Sequence, residues 1–216
     1  MTNWSLALNY WLKETSINLF DCSALEIGSR NGGLSLWLAL HGARVVCTDI
    51  KGPNAQAKLL HRKYGVSHLI DYHRVDASKM IFDDKTFDVV LFKSVLGDIG
   101  WNGNTRRQLK AVKEILRVLK PGGELFFAEN LVASPFHQYM RNHFVEWGKS
   151  WKYLSLDELV NYFSVFTEFH YRTTGFLGAF GLTQIQKNLF GWLDRLVFNA
   201  VIPQKWQYIM IGICKK

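Results

Sequence analysis

In the stretch ALEIGSRNGG, residues 24 to 33, a short apolar run breaks into glycines that a packed strand or helix would not tolerate. Gly28, Gly32 and Gly33 bring positive φ and a bare backbone, which together let a ligand approach main-chain atoms. Two carboxylates follow at useful distances, Asp49 at the close of the next apolar run and Asp76 at the close of the one after. An acidic residue about 20 positions after such glycines can accept hydrogen bonds from both hydroxyls of a ribose. At this level the pattern serves a dinucleotide and an adenosyl nucleoside equally well. Further along, Asp98 and His137 are the candidates for taking a proton from a hydroxyl, since one follows the fourth strand and the other opens the segment after the fifth. Both also have an ordinary structural reading. No His/Asp/Glu cluster has ligand spacing, so no metal is expected.

These residues can cooperate only if the elements around them bring them to one edge. Apolar run Ala24 to Ile27, helix Leu34 to Leu40, run Arg44 to Thr48, helix Pro53 to Tyr64 and strand Ile70 to Val75 alternate in order. Strand Phe87 to Phe92, helix Asn104 to Leu119 and strand Glu124 to Glu129 continue the pattern, with Lys120-Pro121-Gly122-Gly123 stopping the helix. Short apolar strands alternating with helices of about 10 to 15 residues predict an α/β doubly wound parallel sheet covered on both faces. In such a sheet the ligand lies outside the carboxyl ends of the strands, where Gly28, Asp49 and Asp76 would all sit.

Taken together, Glu26-Ile27-Gly28-Ser29-Arg30-Asn31-Gly32-Gly33, Asp49, Val75-Asp76-Ala77, Phe87-Asp88-Val89-Val90 and Leu119-Lys120-Pro121-Gly122-Gly123 resemble class I S-adenosylmethionine-dependent methyltransferases. The resemblance covers roughly residues 20 to 130. It implies a Rossmann-like, mostly parallel seven-stranded sheet with an antiparallel last strand, and S-adenosylmethionine as the cofactor. It also implies that Gly28 and Gly32 approach the methionine part, Asp49 the ribose, and Asp76 with Ala77 the adenine. Ser29, Ile50 and Lys93 complete the cofactor set. Glu26 either caps the turn as a buried carboxylate or reaches the cofactor amino group. Arg30 departs from the family pattern, which usually has glycine there; its side chain swings outward or meets the cofactor carboxylate. The implied function is methyl transfer by in-line displacement to a small-molecule or glycan acceptor, on oxygen. The wording of residues 26 to 50 resembles bacterial enzymes of polysaccharide or cell-surface biosynthesis. An RNA methyltransferase and a non-catalytic binding protein are the alternatives.

The totals agree with one domain over 1–216. Its 216 residues are 48% hydrophobic and 20% charged, with a formal net charge of +8 that suits an anionic partner, whether nucleic acid or a membrane surface. Three scattered cysteines without Cys-x-x-Cys spacing indicate neither a disulfide framework nor zinc, and a cytoplasmic location is expected. Residues 4 to 20 read as one packing helix. A helix from Ser155 to Phe163 opens with a capping box, and Phe166 to Tyr171 and Trp206 to Cys214 read as the last two strands. Substrate-side insertions are expected near 131–154 and 175–205, where aromatic and basic residues mix. In the second, Ile185, Leu189, Leu193, Leu196 and Val197 form a stripe expected to pack on the domain. Phe190 and Phe198 would then face outward from a lid over the acceptor, towards a substrate or a lipid surface. Peripheral membrane contact and oligomeric state are left open.

Overall fold

The computed structural model describes residues 5–144 and 151–216. Its seven-stranded sheet runs β3-β2-β1-β4-β5-β7-β6. The strands are β1 (Ser23–Ile27), β2 (Arg44–Asp49), β3 (Ile70–Arg74), β4 (Phe87–Lys93), β5 (Leu119–Asn130), β6 (Glu168–Thr174) and β7 (Ile209–Lys215). The first five pair in parallel, whereas β7 runs antiparallel to both β5 and β6. Strand order reverses between β1 and β4, so the carboxyl ends of those two strands frame the crevice where ligands bind in open α/β sheets.

Alternation along the strands divides the core. Val89 and Leu91 of β4 face one side with Ala24, Val45 and Phe126, where α1 (Leu6–Glu14) and α2 (Gly33–Leu40) cover them. Val90 and Phe92 face the other with Leu25, Leu125 and Phe127, beneath α5 (Thr105–Val118) and α7 (Leu156–Phe163). Trp11 is fully buried on the first side, stacks on Phe126 and donates its indole N–H to Gly212 O at 3.2 Å. Burial of one such side chain is worth about 1.5–3 kcal/mol, which anchors α1 to the sheet. Between these lie α3 (Ala55–Lys63) and the one-turn α4 (Leu96–Ile99).

Several boundaries differ from those expected. The N-terminal helix ends at Glu14 because Thr15 turns extended, and its hydroxyl, with the Ser16 hydroxyl and N–H, is captured by the Glu124 carboxylate. That partner is more than a hundred residues away, so helical periodicity could not reveal it. Lys120-Pro121-Gly122-Gly123 falls inside β5 as an irregularity: Phe87 pairs with Leu119, and Val89 with Glu124. The sixth strand starts later, at Glu168, because Phe166 is spent in the turn that closes α7. The capping box at Ser155 forms as expected.

After β5 comes α6 (Pro135–Phe144), and between β6 and β7 lies α8 (Gln184–Leu193), prolonged by a π turn over Asp194–Phe198 and α9 (Asn199–Val201). Here the expected orientation is reversed. Ile185, Leu189, Leu196 and Val197, four of the five stripe residues expected to pack inward, are exposed, and Leu193 is half-buried. Phe190 and Phe198 are half-buried, and Phe198 stacks on Phe176. The inner side is held by polar contacts instead: the buried Asp194 carboxylate accepts the Leu177 and Gly178 N–H groups at 2.8 and 2.9 Å, and Asn199 Oδ1 accepts the Gly175 N–H at 2.8 Å. Among the described residues no helix is long and apolar enough to cross a membrane. The stretch 145–150 of the first insertion lies outside the described residues.

Candidate active site

At the carboxyl end of β1, Gly28 adopts φ 67°, and a Cβ there would approach Val95 Cγ2 to 2.7 Å. The position tolerates no side chain on either count. Gly32, at φ 71° and ψ 21°, is the N-cap of α2. Between them Ser29 N–H donates to Thr48 O at 2.8 Å and Gly32 N–H to Ser29 O at 2.7 Å, which tie the turn to β2 and to itself. Arg30 sits at φ 47°. The turn thus keeps the backbone shape usual for glycine while carrying a guanidinium, at a cost of about 1–2 kcal/mol. Ser94, after β4, and Ala133, after β5, are also left-handed at 53° and 62°. Strain concentrated at the ends of three strands is the kind that ligand-holding segments store.

Asp49 ends β2 beside this turn. Its Oδ2 accepts the Arg30 N–H at 3.2 Å and its Oδ1 the Lys51 N–H at 3.0 Å, with Ile50 exposed next to it. Asp76 lies beyond the end of β3. It accepts the Ser78 N–H and hydroxyl on Oδ1 and the Arg107 guanidinium on Oδ2 at 2.7 Å. Partial burial opposes its ionisation, but the Ser78 and Arg107 hydrogen bonds outweigh it and hold the carboxyl below the usual range. Ala77, next to it, is buried. Lys93 closes β4 immediately after Phe92, which pairs with Ile27 of β1. Solvent reaches the Lys93 side chain, yet crowding by protein and then repulsion from Arg30 lower the basicity of its amine. Two cations therefore sense each other across the mouth of the crevice.

Two carboxylates support this edge from below. Glu26 is buried and accepts the Ser35 N–H at 2.9 Å together with the Ser35 hydroxyl. Glu129, fully buried at the end of β5, accepts the Val95 and Leu96 N–H groups at 2.9 and 2.8 Å. Burial raises both to about 7 against these hydrogen bonds. Glu26 therefore acts as the turn-capping carboxylate, fastening the first turn of α2, and Glu129 does the same for the chain leaving β4. In the sequence Glu129 stands at the end of the fifth strand, on the acceptor side, and the signal for its bracing role is a carboxylate closing the apolar run Leu125–Ala128.

The segment 151–154 lies against the ends of β4 and β5. Lys152 N–H donates to Gly97 O at 3.2 Å and Val132 N–H to Leu154 O at 3.0 Å. A Cβ on Gly97 would overlap the Trp151 ring, so that glycine lets this segment lie against α4. Asn130 Nδ2 reaches Ser94 Oγ at 3.0 Å and links the ends of β4 and β5. Asp98 is exposed on α4. His137 is a correction to the sequence reading. Its ring is buried, with Nδ1 against Ser134 Oγ at 2.7 Å and Nε2 against Phe176 O at 2.9 Å, and rings of Phe176 and Phe180 flank it. Burial lowers its pKa to about 4. Both nitrogens are occupied, Nδ1 by the local Ser134 hydroxyl and Nε2 in tying α6 to the later excursion, so the ring is not placed to take a proton from an acceptor.

Residues 25–127 match the family profile described as a methyltransferase domain. Over this stretch, just under half of the chain, the protein is similar to a class I S-adenosylmethionine-dependent methyltransferase domain. The chain is 30% identical over 105 residues to a demethylmenaquinone methyltransferase of Clavibacter sepedonicus, covering 49% of this chain and 40% of that protein. It is 31% identical over 123 residues to a sterol 4-C-methyltransferase of Caenorhabditis elegans, covering 56% and 34%. The chain thus spans less than half the length of either relative. A solved phosphoethanolamine N-methyltransferase 2 of Haemonchus contortus, in complex with S-adenosyl-L-methionine, superposes with a TM-score of 0.68 at 17% identity, over 99% of this chain and 52% of that one. That likeness shows the same fold.

The residues of this region suit S-adenosylmethionine, the cofactor of the family it is similar to. Each oxygen of Asp49 takes one main-chain N–H, and among the described residues no cation pairs with it. A carboxylate has about four lone-pair sites, so capacity remains for two ribose hydroxyls. Asp76 is more fully engaged than Asp49, and Arg30 with Lys93 supplies positive charge where a carboxylate would lie.

Proposed function

We propose that the protein transfers a methyl group from S-adenosylmethionine to a small-molecule or glycan acceptor, on oxygen. The observation that carries the reading is Asp49, open to hydroxyl donors and held beside a left-handed glycine turn on the same edge as Arg30 and Lys93. In this reading Gly28, Ser29 and Gly32 lie along the methionine part, Arg30 and Lys93 meet its carboxylate, and Asp49 with Ile50 holds the ribose. Asp76 and Ala77 stand at the adenine edge. The cofactor supplies an electrophilic methyl on a sulfonium. The chain's part is to hold the acceptor oxygen in line, about 3 Å from that carbon, in a site shielded by residues 151–154. Asp98 is the remaining candidate for receiving the hydroxyl proton.

A second reading, transfer to carbon, is favoured by one observation: a relative matching over 56% of this chain is named a sterol 4-C-methyltransferase. Cofactor carrying a carbon-13 methyl group, incubated with hydroxylated, amine and sterol-type acceptors, separates the readings. The chemical shift of the transferred carbon is expected to be that of an O-methyl group. A C-methyl signal would replace the first reading with the second, and tight cofactor binding without transfer to any acceptor would count against both.

A further inference from the structure

The late excursion presents its apolar side to solvent. Ile185, Leu189, Trp192 and Leu196 are spaced four, three and four residues apart, so at 100° per residue they share one narrow sector. They are 81%, 52%, 50% and 59% exposed. The opposite sector carries Gly191 and Asp194, both buried, and Asp194 fastens the helix to Leu177 and Gly178. The usual amphipathic arrangement is therefore reversed, with a polar anchor inside and an apolar ridge outside. Single exposed apolar residues are ordinary on any surface; a ridge continuing over three helical turns is not. Leu182, Val201 and Trp206 extend the exposed apolar character along the same excursion, and neighbouring α6 exposes Phe136, Tyr139 and Phe144. Ring contacts of Phe136 and His137 with Phe180 tie the two segments together.

Charge selects the occupant. Between Glu168 and the end of the chain the single acidic residue is Asp194, which is buried, while Arg195, on the flank of the ridge, and Lys205 are exposed. A second copy placed on the same face would set these cations against their own counterparts, in a chain of net charge +8. An anionic surface that is apolar beneath satisfies both features. Trp192 and Trp206 belong to the residue type that settles at headgroup level, and a helix lying in that plane buries its apolar side among acyl chains. We propose that this face docks on an anionic lipid bilayer, with α8 and its π turn lying in the interface. The proposal does not depend on the methyl-transfer reading.

Vesicle flotation tests it with the full chain. The protein is expected to float with phosphatidylcholine vesicles containing phosphatidylglycerol, less with phosphatidylcholine alone, and less again at high salt. Combined Ile185→Ser, Leu189→Ser and Trp192→Ser substitutions are expected to lower partitioning more than about tenfold while leaving the melting temperature and S-adenosylmethionine affinity unchanged. Lys205→Gln should weaken binding to the anionic vesicles only. Equal flotation of wild type and triple variant would overturn the proposal. So would a wild-type dimer that fails to float and that the triple variant converts to monomer by light scattering, since the ridge would then be a contact between copies.

Discussion

The glycine turn after β1 and the helix between β6 and β7 were both read from spacing, and the outcomes differ. At the turn, Gly28, Arg30, Asp49 and Lys93 meet on one edge as the strand order requires. At α8 the helix forms, but its apolar stripe faces away from the domain. A parallel sheet turns position along the chain into position in space, because every strand delivers its carboxyl end to the same edge. Helical spacing establishes only that a face exists. Which way it points depends on what else is available to pack.

The largest expected effect lies on the turn side. Asp49→Ala removes the charged acceptor of two ribose hydroxyls, each bond being worth about 1.5–3 kcal/mol, so cofactor affinity should fall on the order of a hundredfold by calorimetry while the fold is retained. Asp76→Ala should cost less affinity and more stability, because it strands Arg107. Equal losses of affinity at both positions would break the distinction between an open and an occupied carboxylate.

Next comes the pH dependence of the two supporting carboxylates. Glu26 and Glu129 are raised to about 7 in the folded state from an ordinary value near 4.5. The native state therefore holds protons that the unfolded chain releases in that window. Stability should fall as pH rises from about 4.5 to about 7 and level off above, by up to roughly 3 kcal/mol per group. Urea titrations across this range check it; Glu26→Gln and Glu129→Gln should each flatten the slope, and a slope of opposite sign would exclude the assignment.

On the excursion side, Phe190→Ala with Phe198→Ala should destabilise the protein by about 1–3 kcal/mol, since both rings are half-buried and Phe198 stacks on Phe176. Ile185→Ser with Leu189→Ser should stay within about 0.5 kcal/mol. Denaturant midpoints decide, and the reverse ranking would restore the inward-packing stripe. The smallest effect is expected at Arg30→Gly. Relief of its left-handed backbone and the added freedom of glycine in the unfolded chain nearly cancel, leaving stability changed by less than about 1 kcal/mol. Cofactor affinity should fall several-fold, in a salt-sensitive way, if the guanidinium meets the carboxylate; unchanged affinity would mean that it points outward.

The sequence by itself determined the alternation of strands and helices, the edge on which Gly28, Asp49 and Asp76 converge, and the Ser155 capping box. Each of these follows from neighbours within a few residues or from the single rule that parallel strands share an edge. The tertiary structure decided where α1 stops, because Glu124 takes Thr15 and Ser16 from across the chain. It decided that His137 reaches the later excursion through Nε2, and that Glu26 and Glu129 brace the turns after β1 and β4. It also turned α8 outward, because the buried Asp194 found its main-chain partners on the inner side. Polar groups removed from water must be satisfied wherever partners exist. Most of those partners lie beyond the reach of a helical or strand period, so local spacing carries no record of them.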